Sequence, residues 1–116
     1  MRTALARALV AGPKLLLLDE PFAALDEFSR QDLNDALLQL ARDENLTVIF
    51  VTHSVYESAY LSSRVAIMSP RPGTLVTQLS FPPPLERNAQ WRLTPEFSER
   101  VRTITGALRE SRNKAA

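Results

Sequence analysis

The sequence predicts an α/β fold in which parallel strands are flanked by helices and followed by a hairpin and a last helix. Two short apolar runs, 15–18 and 47–52, carry this prediction, because turn, charged or proline residues bound them and a helical pattern separates them. Continuous apolar runs are typical of parallel strands buried on both faces, so we expect both faces to be covered. The alternation of helices and strands indicates a crossover connection between the two runs.

The composition is that of one modest globular domain. The chain has 116 residues, with 14 Lys and Arg against 13 Asp and Glu, so its formal net charge is only +1. This balance gives no electrostatic reason to expect a nucleic-acid partner. The absence of cysteine excludes disulfides, thiolate metal sites and a cysteine nucleophile. No apolar run approaches the roughly 20 residues that a membrane span needs.

Capping residues predict where the helices begin. Residues 1–11 are rich in good helix formers, and the Gly-Pro pair at 12–13 predicts the end of that helix. Asp26 is the predicted N-cap of a helix that reaches Asp43, and Ser54 with Glu57 forms a capping box for a shorter one. The predicted buried stripe of the longer helix consists of Phe28, Leu33, Leu37, Leu40 and Ala41.

The last third of the sequence predicts a hairpin, a linker and a helix. Strands are expected over 65–68 and 74–79, around a Pro- and Gly-containing turn, and the prolines at 82–84 predict an extended linker. Thr94 and Pro95 begin the last helix. Its predicted core stripe is Phe97, Val101, Ile104 and Leu108, while Arg100 and the other arginines of this helix are expected on its solvated face.

Ionisable side chains follow both predicted parallel strands. Asp19 and Glu20 follow the first strand, and His53 follows the second. Ligands of such sheets bind at the carboxyl ends of the strands. One carboxylate there suits Mg²⁺, a second can orient or deprotonate an attacking water, and a histidine can contact a phosphate or that water. Two structural readings stay open, namely a solvated strand end for the acids and a capping or packing role for His53.

Taken together, the segments resemble the ATPase subunit of ABC transporters. The segment 15–20 resembles the Walker B strand, the segment 23–26 (Ala-Ala-Leu-Asp) resembles the D-loop, and residues 2–9 resemble the helix after the family signature. The resemblance implies that Glu20 and His53 are catalytic and that Asp19 holds Mg²⁺ through water. It also implies that three D-loop residues, Ala24, Leu25 and Asp26, take part in cofactor binding.

The resemblance implies a fold and a division of the chain. We expect residues 1–79 to be the C-terminal part of an ABC ATPase domain, which is a partial P-loop NTPase core. Residues 80–116 then form a proline-rich linker and a C-terminal helix. The segments 56–61 and 68–73 are similar to importers of the nitrate, sulfonate or taurine type.

Three family motifs are missing from these residues. No stretch matches G-x-x-x-x-G-K-[ST], and neither the glutamine loop nor the L-S-G-G signature is present. The cofactors that the family implies are ATP and Mg²⁺, and the family holds ATP between the P-loop of one subunit and the signature of the other. We therefore expect a fragment that does not hydrolyse ATP alone. The family places its P-loop strand in the same sheet, and without that strand the predicted strands 15–18 and 48–51 have uncovered neighbours, which predicts poor solubility or a molten state.

The family resemblance also implies partners and a location. These are a transmembrane permease, a second ATPase subunit in a homodimeric sandwich and, indirectly, a solute-binding protein, with no nucleic acid. The location is peripheral, on the cytoplasmic face of the inner or plasma membrane. Two alternatives remain open: a fragment of a DNA-repair or chromosome ATPase, which shares the Asp-Glu strand and D-loop, and a non-enzymatic remnant that acts by binding a partner.

Overall fold

The computed structural model describes residue 12 and the ranges 14–70, 73–82 and 86–115, and it divides the chain into two compact units, Met1–His53 and Ser54–Ala116. The helix predicted over 1–11 lies outside the described residues, as do parts of the predicted turn and linker. Among the described residues, no helix is both long and apolar enough to cross a bilayer.

The first unit is a β-α-β arrangement. Strand β1 (Leu15–Asp19) pairs in parallel with β2 (Thr47–Val51), and helix α1 (Glu27–Asp43) connects them. The register sets Leu17 opposite Ile49. Among the described residues of this unit, the buried hydrophobic core is formed by Leu16, Phe22, Leu33 and Leu37. The α/β class and the parallel pairing are therefore as predicted.

The prediction that both faces of these strands are covered is wrong. Leu16 is buried, but Leu15 and Leu17 are 56% and 67% exposed, and Ile49 on the neighbouring strand is 50% exposed. Successive side chains of a strand point to opposite faces. One face of the two-stranded sheet therefore packs in the core, and its other face presents apolar side chains to solvent.

The prediction for α1 was correct in its bounds and wrong at one core position. Asp26 is the N-cap, since its Oδ1 accepts a hydrogen bond of 2.8 Å from the backbone N–H of Ser29. Phe28, predicted to be in the core, is 80% exposed. It precedes Leu33 by five residues, which puts it about 140° around the helix from the buried face.

The second unit consists of two helices and a hairpin, and its last helix packs on both the shorter helix and the hairpin. It contains α2 (Val55–Leu61), the antiparallel strands β3 (Arg64–Met68) and β4 (Leu75–Ser80), a 3-10 turn (Trp91–Leu93) and α3 (Pro95–Ala115). As predicted, Ser54 and Thr94 accept hydrogen bonds from the third residue after each, with distances of 3.2 and 3.3 Å. The rings of Tyr60, Trp91 and Phe97 pack together with centroids 5.3–6.2 Å apart.

Arginines of the C-terminal segment hold this unit together. Arg87 donates from Nη1 to the carbonyl oxygens of Tyr60 and Leu61 at the end of α2, at 3.2 and 2.9 Å. The prediction that Arg100 lies on a solvated face is wrong, because only 4% of it is exposed. Its guanidinium donates to the carbonyl of Pro82 and lies 5.1 Å from the ring centroid of Trp91. Arg100 therefore joins α3 to the linker. The alternation of acidic and basic residues along this helix did not predict that contact.

Candidate functional site

The end of β1 brings Asp19 and Glu20 to the carboxyl edge of the parallel pair. The backbone N–H of Glu20 donates to the carbonyl of Val51 with a distance of 2.7 Å, so the two strand ends are joined directly. Glu20 has a φ of 45°, in the left-handed region that a residue with a side chain rarely adopts. This conformation turns the chain out of the strand at the position of the second carboxylate.

Glu20 and His53 are in contact. Glu20 Oε1 lies 3.3 Å from His53 Nε2, and the two groups form an ion pair when the imidazole is protonated. His53 follows β2 by two residues, so the pair is a direct result of the parallel alignment of the strands. The side chain of Glu20 is 35% exposed and that of His53 is 94% exposed. A water molecule can therefore reach both groups, and the pair can orient it and accept its proton.

Asp19 occupies a different environment. It lies opposite Val51 in the strand register, on the same exposed face as Leu15 and Leu17. Within the described ranges, its carboxylate makes no hydrogen bond or ion pair, and no group of three or more His, Cys, Asp or Glu residues could hold a metal ion. Asp19 is therefore an open carboxylate one residue before Glu20, and an ion there would need oxygens from elsewhere.

The turn between β1 and α1 contains the other predicted site residues. Ala24 is exposed, and Leu25 is half-buried with its backbone N–H donating to the carbonyl of Phe22 at 3.1 Å. Asp26 Oδ2 also accepts from Ser29 Oγ, at 2.9 Å. Hydrogen bonds from the backbone and then the side chain of Ser29 lower the pKa of Asp26 below its ordinary value of 3.8. Both oxygens of Asp26 thus serve to begin α1.

Two residues that hold this turn, one within it and one on α1, were not identified as functional from the sequence. Phe22 is only 1% exposed and anchors the start of the turn in the core. Arg30 donates from Nη2 to the carbonyl oxygens of Ala23 and Leu25, at 3.2 and 3.3 Å. The i,i+4 spacing to Asp26 would indicate a pair with that carboxylate, and the sequence holds no signal for the contact with the turn carbonyls that Arg30 makes instead.

Known proteins similar to this chain have names that refer to ATP. No family model matches it. A protein of Brucella abortus named as an ATP-binding protein is 46% identical over 97 residues, which is 84% of this chain and 37% of that protein. An aliphatic sulfonates import ATP-binding protein of Pseudomonas savastanoi is 54% identical over 78 residues, 67% of this chain and 33% of the relative. Its counterpart in Bacillus cereus is 46% identical over 91 residues, 77% of the chain and 36% of the relative. The chain thus spans about a third of these relatives.

Proposed function

This chain is a homologue of ABC transporter ATP-binding subunits, and we propose that it supplies the water-activating segment of such an ATPase in an importer of a small anion. One observation carries the proposal, namely the contact of 3.3 Å between Glu20 and His53 at the ends of adjacent parallel strands. Two relatives, 54% and 46% identical to this chain, are named as import ATP-binding proteins, and these names support the assignment to a transporter.

In this proposal Glu20 is the general base for hydrolysis. Its carboxylate orients the attacking water and accepts the proton that the water loses as it attacks the terminal phosphate, while the bond to the bridging oxygen breaks and ADP leaves. His53 holds the carboxylate through Nε2 and is accessible enough to contact the phosphate as well. The left-handed φ of 45° at Glu20 is a conformation that costs free energy, and the backbone bond to Val51 helps maintain it.

One residue, Asp19, fits Mg²⁺ as a carboxylate ligand. Mg²⁺ retains several waters and is usually held by one or two carboxylates together with substrate phosphates, which matches the single open carboxylate of Asp19. Asp19 would hold the ion through water. When bound, Mg²⁺ neutralises charge that develops on the phosphate oxygens.

We extend the proposal to the turn and to the division of the chain. The D-loop would consist of Ala24, Leu25 and Asp26 and would face a nucleotide. These residues would contact it through backbone groups, because the Asp26 carboxylate already accepts hydrogen bonds from Ser29. Residues 1–79 would form part of a P-loop NTPase core, and residues 80–116 its C-terminal extension. The exposed apolar face of β1 and β2 is consistent with a sheet that further strands or helices of such a core would cover.

The proposed ATPase needs groups that these 116 residues do not contain. No phosphate-binding G-x-x-x-x-G-K-[ST] motif occurs in them, so we propose that the chain alone does not hydrolyse ATP. The proposed partners are a second ATPase subunit, a transmembrane permease and, indirectly, a solute-binding protein, at the cytoplasmic face of the membrane. The solute class we favour is a nitrate-, sulfonate- or taurine-like anion. The support for this choice is that two relatives are named as sulfonate importers.

A fusion protein tests the proposal directly. Residues 1–116 would replace the matching portion of the Pseudomonas savastanoi relative, which leaves that relative's other residues in place. We expect phosphate release over many turnovers, and its loss to background in Glu20→Gln. Glu44→Gln, an exposed glutamate at the end of α1, is the matched control and should leave turnover unchanged. Turnover by the unfused chain, or full activity in the Glu20→Gln fusion protein, would refute the proposal.

A further inference from the structure

Arg30 connects α1 to the turn that follows β1. Its Nη2 donates to two carbonyl oxygens of the turn, those of Ala23 at 3.2 Å and Leu25 at 3.3 Å. A guanidinium is planar, permanently charged and rich in donors, and the two N–H groups of its Nη2 can donate to two carbonyls at once. The contact therefore fixes the relative position of α1 and the turn.

Burial shows that Arg30 is not an ordinary surface arginine. The residue is half-buried, and its Nε is buried and makes no hydrogen bond within the described ranges. A buried N–H without a partner costs free energy, so the side chain is retained in this position by its other contacts. Those contacts are the two carbonyls of the turn.

The turn has few other attachments. Phe22 anchors its beginning in the core, whereas Ala23 and Ala24 are exposed. The backbone bond that closes the turn toward Glu20, from the N–H of Ala23 to the carbonyl of Glu20, is long at 3.4 Å. The end of the turn is held by the bond of 3.1 Å from the N–H of Leu25 to the carbonyl of Phe22 and by packing of Leu25 on the core, and Arg30 adds the contact that reaches the exposed Ala23.

We propose that Arg30 is a positioning residue for hydrolysis, which holds the turn after Glu20 so that the left-handed backbone at Glu20 keeps its carboxylate beside His53. This inference rests on the proposed function for its catalytic consequence, whereas its structural part stands on the described contacts alone. Positioning of this kind affects the chemical step, since small displacements of a base slow the reaction strongly while substrate binding is kept.

Hydrogen exchange on the full 116-residue chain tests the structural part. Arg30→Met removes the donors but keeps much of the aliphatic length, and Arg42→Met makes the same change at an exposed position of the same helix. We expect the amide of Leu25 to exchange at least about tenfold faster in Arg30→Met, with the amide of Leu37 in mid-helix unaffected. Arg42→Met should change neither. An unchanged Leu25 amide in Arg30→Met would overturn the inference.

Kinetics of the fusion protein test the catalytic part. We expect Arg30→Met to lower kcat about tenfold while the KM for ATP stays within about twofold, and Arg30→Lys to recover part of the loss. If Glu20→Gln abolishes turnover but neither Arg30 variant changes kcat, the positioning inference fails and the proposed function stands. If Glu20→Gln has no effect, the proposed function fails, and the exchange experiment still decides whether Arg30 holds the turn. Should Arg30→Met lose its folded circular dichroism spectrum, Arg30→Lys alone is used in both experiments.

Discussion

The rings of Phe22 and Phe50 lie 5.8 Å apart, tilted by 53°, and this contact joins the turn after β1 to strand β2. Phe22 comes two residues after Glu20, and Phe50 comes three residues before His53. Tilted ring pairs at this distance are favourable beyond the apolar area they bury. The core of the first unit is therefore linked closely to the two side chains of the candidate site.

Replacing Phe22 by alanine should destabilise the first unit strongly. Phe22 is 1% exposed, and truncating a buried phenylalanine typically lowers the free energy of unfolding by about 3–5 kcal/mol. Phe28→Ala is the matched control, because Phe28 is 80% exposed and its loss should cost little. Urea unfolding at low protein concentration measures both changes. Equal losses in the two variants would contradict the burial that the structure shows.

The cap at Asp26 predicts a specific dependence on pH. Hydrogen bonds from Ser29 lower the pKa of Asp26 below 3.8, so the folded state favours the ionised form. The cap's ionic contribution to stability is therefore complete above pH 3.8 and is lost as the pH falls through the lowered pKa of the folded state. Asp26→Asn keeps a capping oxygen but does not titrate. We expect its urea midpoint to fall less than that of the unchanged chain between pH 5 and acid pH, and parallel curves would refute this.

The exposed apolar face of β1 and β2 should cause the chain to associate. Leu15, Leu17 and Ile49 are at least half exposed on one sheet face, and large apolar patches and free strand edges promote aggregation. Leu17→Lys puts a charge in the middle of this face and should increase the monomer fraction in analytical ultracentrifugation. Leu93→Lys, at a leucine that is 86% exposed in the second unit, should not. A chain that is already monomeric at micromolar concentration would contradict the prediction.

Arg100 should contribute more to stability than the neighbouring arginines of α3. It is 4% exposed and donates to the carbonyl of Pro82, and a hydrogen bond to a charged group contributes about 1.5–3 kcal/mol. Burial lowers the pKa of Arg100, and the opposing effect of Glu96 is smaller. Arg100→Ala should therefore lower the urea midpoint and speed proteolysis in the linker, whereas Arg109→Ala, which removes an exposed side chain, should do neither.

Local patterns predicted most of the secondary structure. The N-caps Asp26, Ser54 and Thr94 were found because a short polar side chain before a helical pattern satisfies a free backbone N–H. The candidate pair of Glu20 and His53 was found because the ends of parallel strands share one edge of a sheet. These inferences need only neighbouring residues and the direction of the strands.

Contacts between distant segments were not predictable in the same way. Arg100 was assigned to solvent because its neighbours alternate in charge, but its partner Pro82 is 18 residues away. The burial of β1 and β2 was overestimated. Leucine and isoleucine side chains indicate that burial of a strand is favourable, but they do not indicate which elements are present to cover it. The role of Arg30 needed the path of the turn to be known.

The two bonds that Arg87 makes to Tyr60 and Leu61 determine where this polypeptide can be shortened. A version that ends at residue 80 would leave the last carbonyls of α2 without that guanidinium and would uncover Tyr60, which is now 1% exposed. Residues 86–115 are consequently a structural part of the second unit, and expression plasmids designed for biochemical work should keep them intact.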